Sequence, residues 1–137
     1  MAPITYELLK EWAETGAVET QTLEFKAMLP EGTNEARLEF LKDISAMANS
    51  EGGTIVYGMS EKAGQASNLR PIEGQSPDAV KRRLGQIAES GVEPRLPTID
   101  FQVVDHPEGG FLLALVIPRS YIGPHQVSSS NSFYIRS

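Results

Sequence analysis

The segment Ala46-Met-Ala-Asn-Ser-Glu-Gly-Gly-Thr-Ile-Val-Tyr-Gly58 decides the fold, because it runs from the end of a predicted helix through two glycines into a buried strand. Before it, Glu19-Thr-Gln-Thr-Leu-Glu-Phe-Lys26 shows the imperfect alternation of a half-buried strand within 18–28. A helix between these two strands allows a right-handed parallel crossover. Polar groups near the ends of neighbouring strands are where α/β proteins often place their sites, so this region is the first candidate for one.

Periodicity along the chain predicts three helices and several further strands. The helices are expected at 3–15, at about 34–49 with Thr33 or Asn34 as N-cap, and from Ser76-Pro77-Asp78 to Gly91. Strands are expected at 53–59, 98–104, 111–117 and 133–136, and residues 60–75 are expected to form a loop with a short strand at 69–72. The predicted fold is a single two-layer α/β domain, with about three helices on a mixed sheet of five or six strands.

Length and composition set the class of protein. The 137 residues suffice for one domain with a modest core, and we predict a single domain over 1–137 that is the N-terminal module of a longer protein. The absence of cysteine excludes disulfides and thiolate metal sites. The longest apolar run, Phe111–Ile117, has seven residues against the roughly 20 of a bilayer span, and no signal peptide is visible. We therefore expect a cytoplasmic protein without membrane contact.

The charge balance is acidic, with a net charge of −6 from 12 basic and 18 acidic side chains. Nucleic-acid binders usually carry a basic excess, so this balance argues against tight non-specific binding of duplexes but leaves room for a local basic stripe. The only run of three basic residues, Lys81-Arg82-Arg83 on the third predicted helix, is a candidate phosphate contact or an ordinary solvated helix face. Further candidates for phosphate contacts are Arg70, Arg95, Arg119 and Arg136.

The two glycines of the first quoted segment admit two interpretations. Backbone N–H groups of Asn49–Gly53 could cradle an anion, although this turn follows a helix and so faces the negative helix end. The alternative is that the glycines serve only the turn into the next strand. No P-loop motif is present, so nucleotide hydrolysis of that type is unsupported.

Three stretches together resemble the Schlafen AlbA_2 domain family. They are Leu23-Glu-Phe-Lys26, the run from Ile44 to Gly58, and Phe133-Tyr-Ile-Arg136. The resemblance covers about 19–137, and the pairing of an E-F-K strand with an A-x-A-N-x-x-G-G turn is more specific than a lone glycine pattern. The family comprises small α/β modules associated with DNA binding, found in bacterial regulators and in the nuclease core of animal Schlafen proteins.

In the nuclease members, the resemblance implies a catalytic centre of three carboxylates. Their positions fall on Glu19, Glu24 and Glu61, with Lys26 beside them, which implies a metal-dependent endoribonuclease that uses Mg²⁺ or Mn²⁺. Here Gly58-Met-Ser-Glu61 replaces the family's G-V-D-D, so the third acid is longer and the acid before it is lost. If the site works, the three carboxylates should converge within about 5 Å of one point. The alternative is that they are solvated strand residues, with Lys26 paired to one of them.

Two hypotheses of different classes follow. The first is a nucleic-acid-engaging module that binds RNA or DNA weakly and with a steep salt dependence, and that also contacts downstream domains. The second is a non-enzymatic dimerisation or interaction domain of a bacterial-style regulator or defence protein, with a decayed site. In the second case a homodimer would pair through an edge strand, for which the strand 111–117 or the final strand is the candidate.

Overall fold

The computed structural model describes residues 3–136 and has a four-stranded sheet at its centre. The helices are α1 (Tyr6–Thr15), α2 (Asn34–Ala48) and α3 (Pro77–Gly91). The strands are β1 (Leu23–Lys26), β2 (Gly53–Tyr57), β3 (Met59–Lys62), β4 (Gln65–Leu69), β5 (Val92–Glu93), β6 (Asp100–Asp105), β7 (Phe111–Ile117), β8 (Gln126–Val127) and β9 (Ser132–Phe133). The central order is β1-β2-β7-β6.

The central sheet is mixed, as predicted. Strands β1 and β2 are parallel, with Phe25 opposite Val56, and α2 makes the crossover between them. The pairs β2–β7 and β6–β7 are antiparallel. The α/β class and the three helices are therefore confirmed. The strand count differs, because five short strands lie outside the central sheet, in the β3–β4 hairpin and the three-stranded β5-β8-β9 sheet.

The central sheet is buried on both faces. Alternate residues of β2 and β7, such as Ile55 and Leu113, pack against the apolar faces of α2 and α3. The residues between them, such as Val56 and Leu112, pack with Phe25 against α1 and the β3–β4 hairpin. The sheet and the α2–α3 pair form the two main layers. Because both faces are covered, β7 reads as an unbroken apolar run rather than an alternating one.

The glycine turn after α2 brings three backbone segments into contact. Gly52 has φ +78°, and a Cβ there would lie 2.7 Å from the backbone O of Ile117. A Cβ on Gly53 would lie 2.8 Å from the backbone O of Thr22 and 2.9 Å from Sδ of Met47. The glycines thus let the end of α2 approach β1 and β7 closely, which accounts for them without an anion.

Two expectations about strands were wrong. Residues 60–75 are not mainly loop, because β3 and β4 form a hairpin through Ala63 and Gly64, both with positive φ. The pattern was missed because the strands are largely polar and alanine is unusual at the first position of such a turn. Strand β7 is not an edge, since β2 and β6 flank it on both sides. The short β9, by contrast, does lie at the edge of its small sheet.

No helix within residues 3–136 is both long enough and apolar enough to cross a membrane.

The predicted N-caps of α2 and α3 are found. Oγ1 of Thr33 accepts a hydrogen bond from the N–H of Ala36 at 3.1 Å, and Oγ of Ser76 accepts one from the N–H of Ala79 at 3.4 Å. These hydroxyls satisfy N–H groups that the first turn of a helix leaves unpaired.

We predict that Gly53→Ala lowers the free energy of unfolding by about 1–3 kcal/mol, because its methyl group must displace backbone or the Met47 sulfur. Gly85→Ala is the matched control, since a Cβ at Gly85 in the middle of α3 meets no atom within 4 Å. That change should stabilise the protein by about 0.5–1 kcal/mol through helix propensity. Urea unfolding of both variants measures the difference. Equal effects of the two changes would contradict the packing role of Gly53.

Candidate functional site

Four charged side chains of alternating sign form a connected row, which we call the β1–α2 ion network: Arg136, Glu24, Lys26 and Asp43. Nη1 of Arg136 lies 3.0 Å from Oε1 of Glu24, and Nζ of Lys26 lies 3.8 Å from Oε2 of the same carboxylate. Nζ of Lys26 is also 3.5 Å from Oδ2 of Asp43. Through this row, Arg136 near the C-terminal end of the chain is connected to β1 and α2.

Local structure explains how these groups meet. Side chains on a strand alternate between faces, so Phe25 enters the core beneath α1 while Glu24 and Lys26 lie on the α2 side. Asp43 belongs to α2, and only 13% of its side chain is exposed. The exposed fraction is 17% for Glu24 and Arg136 alike. These charges are therefore only weakly screened by solvent.

Burial and neighbouring carboxylates shift the pKa values of groups in and beside the β1–α2 ion network. Burial, with the Glu24 carboxylate nearby, raises the pKa of Asp43 to about 6, although Lys26 opposes the shift. Burial lowers the pKa of Lys26, but the Asp43 and Glu24 carboxylates outweigh it, and the net shift is upward. Burial also raises the pKa of the Tyr57 hydroxyl, with both carboxylates adding to it. Lys26 is thus held firmly as a cation between the carboxylates of Glu24 and Asp43.

The other two predicted catalytic carboxylates make local backbone contacts. Oε2 of Glu19 accepts a hydrogen bond from the N–H of Phe25 at 3.0 Å, on the outer edge of β1. Oε2 of Glu61 accepts one from the N–H of Gly64 at 2.8 Å, in the exposed turn of the β3–β4 hairpin. Each carboxylate therefore satisfies a nearby N–H group, and each does so in a different part of the chain.

The expected convergence of Glu19, Glu24 and Glu61 is not found. Among residues 3–136, no three acidic or histidine side chains come close enough together to hold a metal ion. Glu24 instead has two cationic neighbours, Lys26 and Arg136. These residues do not fit a Mg²⁺ or Mn²⁺ site in this conformation. The catalytic and metal-binding roles of the three carboxylates stay predictions.

The predicted phosphate-binding arginines differ in how far their guanidinium groups are engaged. Arg136 donates to the backbone O of Thr20 (2.8 Å) and of Gln21 (3.1 Å) in addition to Glu24. Arg119 pairs with Glu51 at 3.5 Å and lies over the ring of Tyr121. Arg70 is exposed and makes no ion pair within residues 3–136.

Two adjoining clefts carry three arginines, which we call the arginine groove: Arg70, Arg83 and Arg37. The larger cleft, about 750 Å³, lies beyond the carboxyl end of β1 and is lined by Arg70 and Arg83. The smaller, about 430 Å³, is lined by Arg83 and Arg37. Nη2 of Arg83 donates to the backbone O of Pro30 at 3.0 Å, which fixes this guanidinium between the two clefts.

Sequence reasoning missed Arg37, which is far from the other two arginines along the chain. Only the packing of α2 against α3 places it beside Arg83. Lys81 and Arg82, the other members of the basic run, lie on α3 outside the lining of both clefts. Arg82 is exposed and Lys81 is half-buried. Arg37 lies on the exposed face of α2. Periodicity predicts that face as a whole and does not single out this one arginine.

The model of the Schlafen, AlbA_2 family matches residues 19–137 of the chain. This protein belongs to the Schlafen AlbA_2 family. The structure shows which contacts the asparagine of the family motif makes. Asn49, in the A-x-A-N-x-x-G-G turn, donates through Nδ2 to the backbone O of His125 (2.9 Å) and of Tyr134 (3.0 Å). Oδ1 of Asn49 accepts from the N–H of His125 at 2.7 Å. In this AlbA_2 domain the asparagine ties the C-terminal segments to the end of α2.

Solved structures share the fold of this AlbA_2 domain. One is the N-terminal domain of a protein from Nitrosomonas europaea described as related to the ATP-dependent DNA helicase RecG. It has a TM-score of 0.68 and 18% identity, over 99% of this chain and 88% of that chain. The DIP2311 protein from Corynebacterium diphtheriae has a TM-score of 0.58 and 18% identity, over 96% of this chain and 27% of that chain. This chain thus spans about a quarter of DIP2311. No curated protein sequence matches it.

We predict a pH signature for Asp43. Its folded pKa of about 6 lies above its ordinary value of 3.8, so the folded AlbA_2 domain binds this proton more tightly than the unfolded chain. The resulting stability is fully present below about pH 4 and is lost as pH rises through 6, by at most about 3 kcal/mol. Urea unfolding between pH 4 and 8 should show this loss in the wild type and not in Asp43→Asn.

The surface variant Asp78→Asn, in the first turn of α3, is the control for removal of one carboxylate. It should keep the wild-type decline between pH 4 and 6. An Asp43→Asn protein with the same decline as the wild type would show that another group carries the effect.

Proposed function

We propose that this AlbA_2 domain binds nucleic acid, and that the arginine groove is the surface that contacts phosphates. The observation that carries the proposal is the line of three guanidinium groups along two adjoining clefts. Planar guanidinium groups bind phosphate oxygens with two parallel hydrogen bonds, which suits them to nucleic-acid backbones. Lys81 and Arg82 on α3 would add phosphate contacts from the same helix as Arg83.

The position of the groove supports the proposal independently. In open α/β sheets, ligands bind outside the carboxyl ends of the parallel strands. The larger cleft is built by residues 27–32, which follow β1, and by residues 70–73, which follow the β3–β4 hairpin. Family membership, and the fold shared with a domain of a RecG-related protein, point to the same class of partner.

We further propose that the preferred partner is a single strand. A concave groove receives an extended single strand, whereas a duplex is a stiff rod that needs a broad basic face, and this chain carries a net charge of −6. Met28 lines the larger cleft with 65% of its surface exposed and offers an apolar contact for a base. The carboxylates of Glu31 and Glu73 in the same lining repel additional phosphates, which keeps the affinity low.

The predicted roles of Arg119 and Arg136 as phosphate contacts carry less support. Their guanidinium groups already contact Glu51 and Glu24, so phosphate binding would have to break an existing ion pair at each. The endoribonuclease activity implied by the family resemblance stays a prediction. The contacts of this conformation support binding of nucleic acid rather than its cleavage.

A dimerisation role is a second candidate, favoured by exposed apolar side chains near the C-terminal segments. They are Tyr121 (86% exposed), Ile122 (69%), Phe133 (56%) and Ile135 (73%). Such residues on a short edge strand and its neighbouring loop suit a protein contact. Light scattering at rising protein concentration separates the two roles, since a dimer that forms without nucleic acid would support this one.

We predict that the double variant Arg37→Glu/Arg70→Glu binds single-stranded DNA and RNA about tenfold more weakly at low salt. Each lost phosphate contact should also reduce the slope of log K against log salt by about 1. Both arginines are exposed, so the fold should persist. Fluorescence anisotropy with a labelled single strand, a duplex and a structured RNA measures the change.

The charge-matched control is Lys10→Glu/Lys62→Glu, because these exposed lysines lie on α1 and in the β3–β4 hairpin, away from both clefts. An equal loss in both double variants would mean that net charge alone governs binding and would refute the groove. No binding of any of the three nucleic acids by the wild type at high micromolar concentration would refute the function for this domain.

A further inference from the structure

Segment 132–136 is held in place mainly by polar contacts. Its apolar side chains Phe133 and Ile135 are 56% and 73% exposed, so they contribute little burial. Tyr134 alone packs against the core, with the ammonium of Lys42 5.3 Å from its ring centre. Segments with few buried apolar contacts open at low free-energy cost unless specific bonds retain them.

Besides the pairing of Ser132 and Phe133 with β8, several specific bonds of this segment lie at or next to its arginine. The N–H of Arg136 donates to Oγ of Ser50 at 2.9 Å, and Asn49 holds the backbone O of Tyr134. Three oxygens surround the guanidinium group: the backbone O of Thr20, the backbone O of Gln21, and Oε1 of Glu24. They form a cradle with two carbonyl oxygens and one carboxylate, and only the carboxylate brings a full negative charge.

We propose that Glu24 is the anchor of a latch rather than a metal ligand. Its carboxylate holds Arg136 in the cradle, and through Arg136 it holds segment 132–136 against β1 and the end of α2. The latch is a conformational device, because release of the guanidinium leaves a segment with little apolar burial held only by its contacts with Asn49, Ser50 and β8. Its default state is closed, since opening leaves Glu24 partly buried with Lys26 as its remaining cation.

The same contact explains why the carboxylates do not assemble a metal site. An oxygen-ligated divalent cation needs anionic oxygens that are free to coordinate it. Here Oε1 of Glu24 faces Arg136, and Oε2 faces Lys26 without a hydrogen bond. Two cations already neutralise this carboxylate, so a third would meet their repulsion. The latch therefore occupies the place that the family resemblance gives to a metal ligand.

Amide hydrogen exchange tests the latch residue by residue. In Glu24→Gln and in Arg136→Gln, the amides of residues 133–136 should exchange at least tenfold faster than in the wild type. The double variant should exchange no faster than either single variant, because both substitutions remove one shared contact. Amides of β7 report global unfolding, and their rates serve to correct for any general loss of stability.

Glu19→Gln is the matched control, because Glu19 lies close to β1 but binds the N–H of Phe25 and not the latch. It should leave exchange in 133–136 at the wild-type rate. Unchanged exchange in Glu24→Gln, or additive effects in the double variant, would overturn the proposal.

A second arm adds Mn²⁺ to the wild type, Glu24→Gln and Glu19→Gln and follows thermal unfolding. A latch predicts the same small response to Mn²⁺ in all three proteins. A stabilisation of the wild type that both variants lose would instead identify Glu24 and Glu19 as metal ligands, and would overturn the assignment of Glu24 as an anchor.

Discussion

The close approach of three backbone segments at Gly52 and Gly53 is the constraint on which the rest of the structure depends. It sets the end of α2 directly against β1 and β7, with no side chain between them. Asn49 and Ser50, one turn earlier, are thereby placed where they can bind the C-terminal segments. Both the central sheet and the position of Arg136 depend on a turn in which any side chain would meet neighbouring backbone.

The elements were largely predictable because their signals are local. Capping residues such as Thr33 and Ser76, the glycine turn and the apolar run of β7 each act within a few residues. The hairpin of β3 and β4 was missed because its strands are polar and its turn has Ala63 in a position that usually carries asparagine or glycine. The two-residue strands of the small sheet carry no periodicity at all.

The site was predictable only in part, because its geometry depends on contacts between distant parts of the chain. Glu24 and Lys26 are predicted as site residues from the sequence, but Asp43 joins them from α2 and Arg136 from 112 residues further along than Glu24. Arg37 and Arg83 meet through helix packing. The family resemblance supplied roles for three carboxylates, whereas the fold uses Glu19 and Glu61 to satisfy backbone N–H groups. Spacing along a sequence does not reveal which charge a carboxylate will face.

The carboxylate of Glu19 has a consequence for the behaviour of the protein in concentrated solution. Strand β1 is an edge of the central sheet, and an exposed edge is a template on which strands of other molecules can add. Glu19 occupies the N–H of Phe25 on that edge and sets a negative charge beside it. A strand from another molecule would have to displace this carboxylate before it could bond to β1. Glu19, together with the backbone of Thr20 that pairs with Leu23, thus occupies the backbone groups that a strand from another molecule would need on this edge.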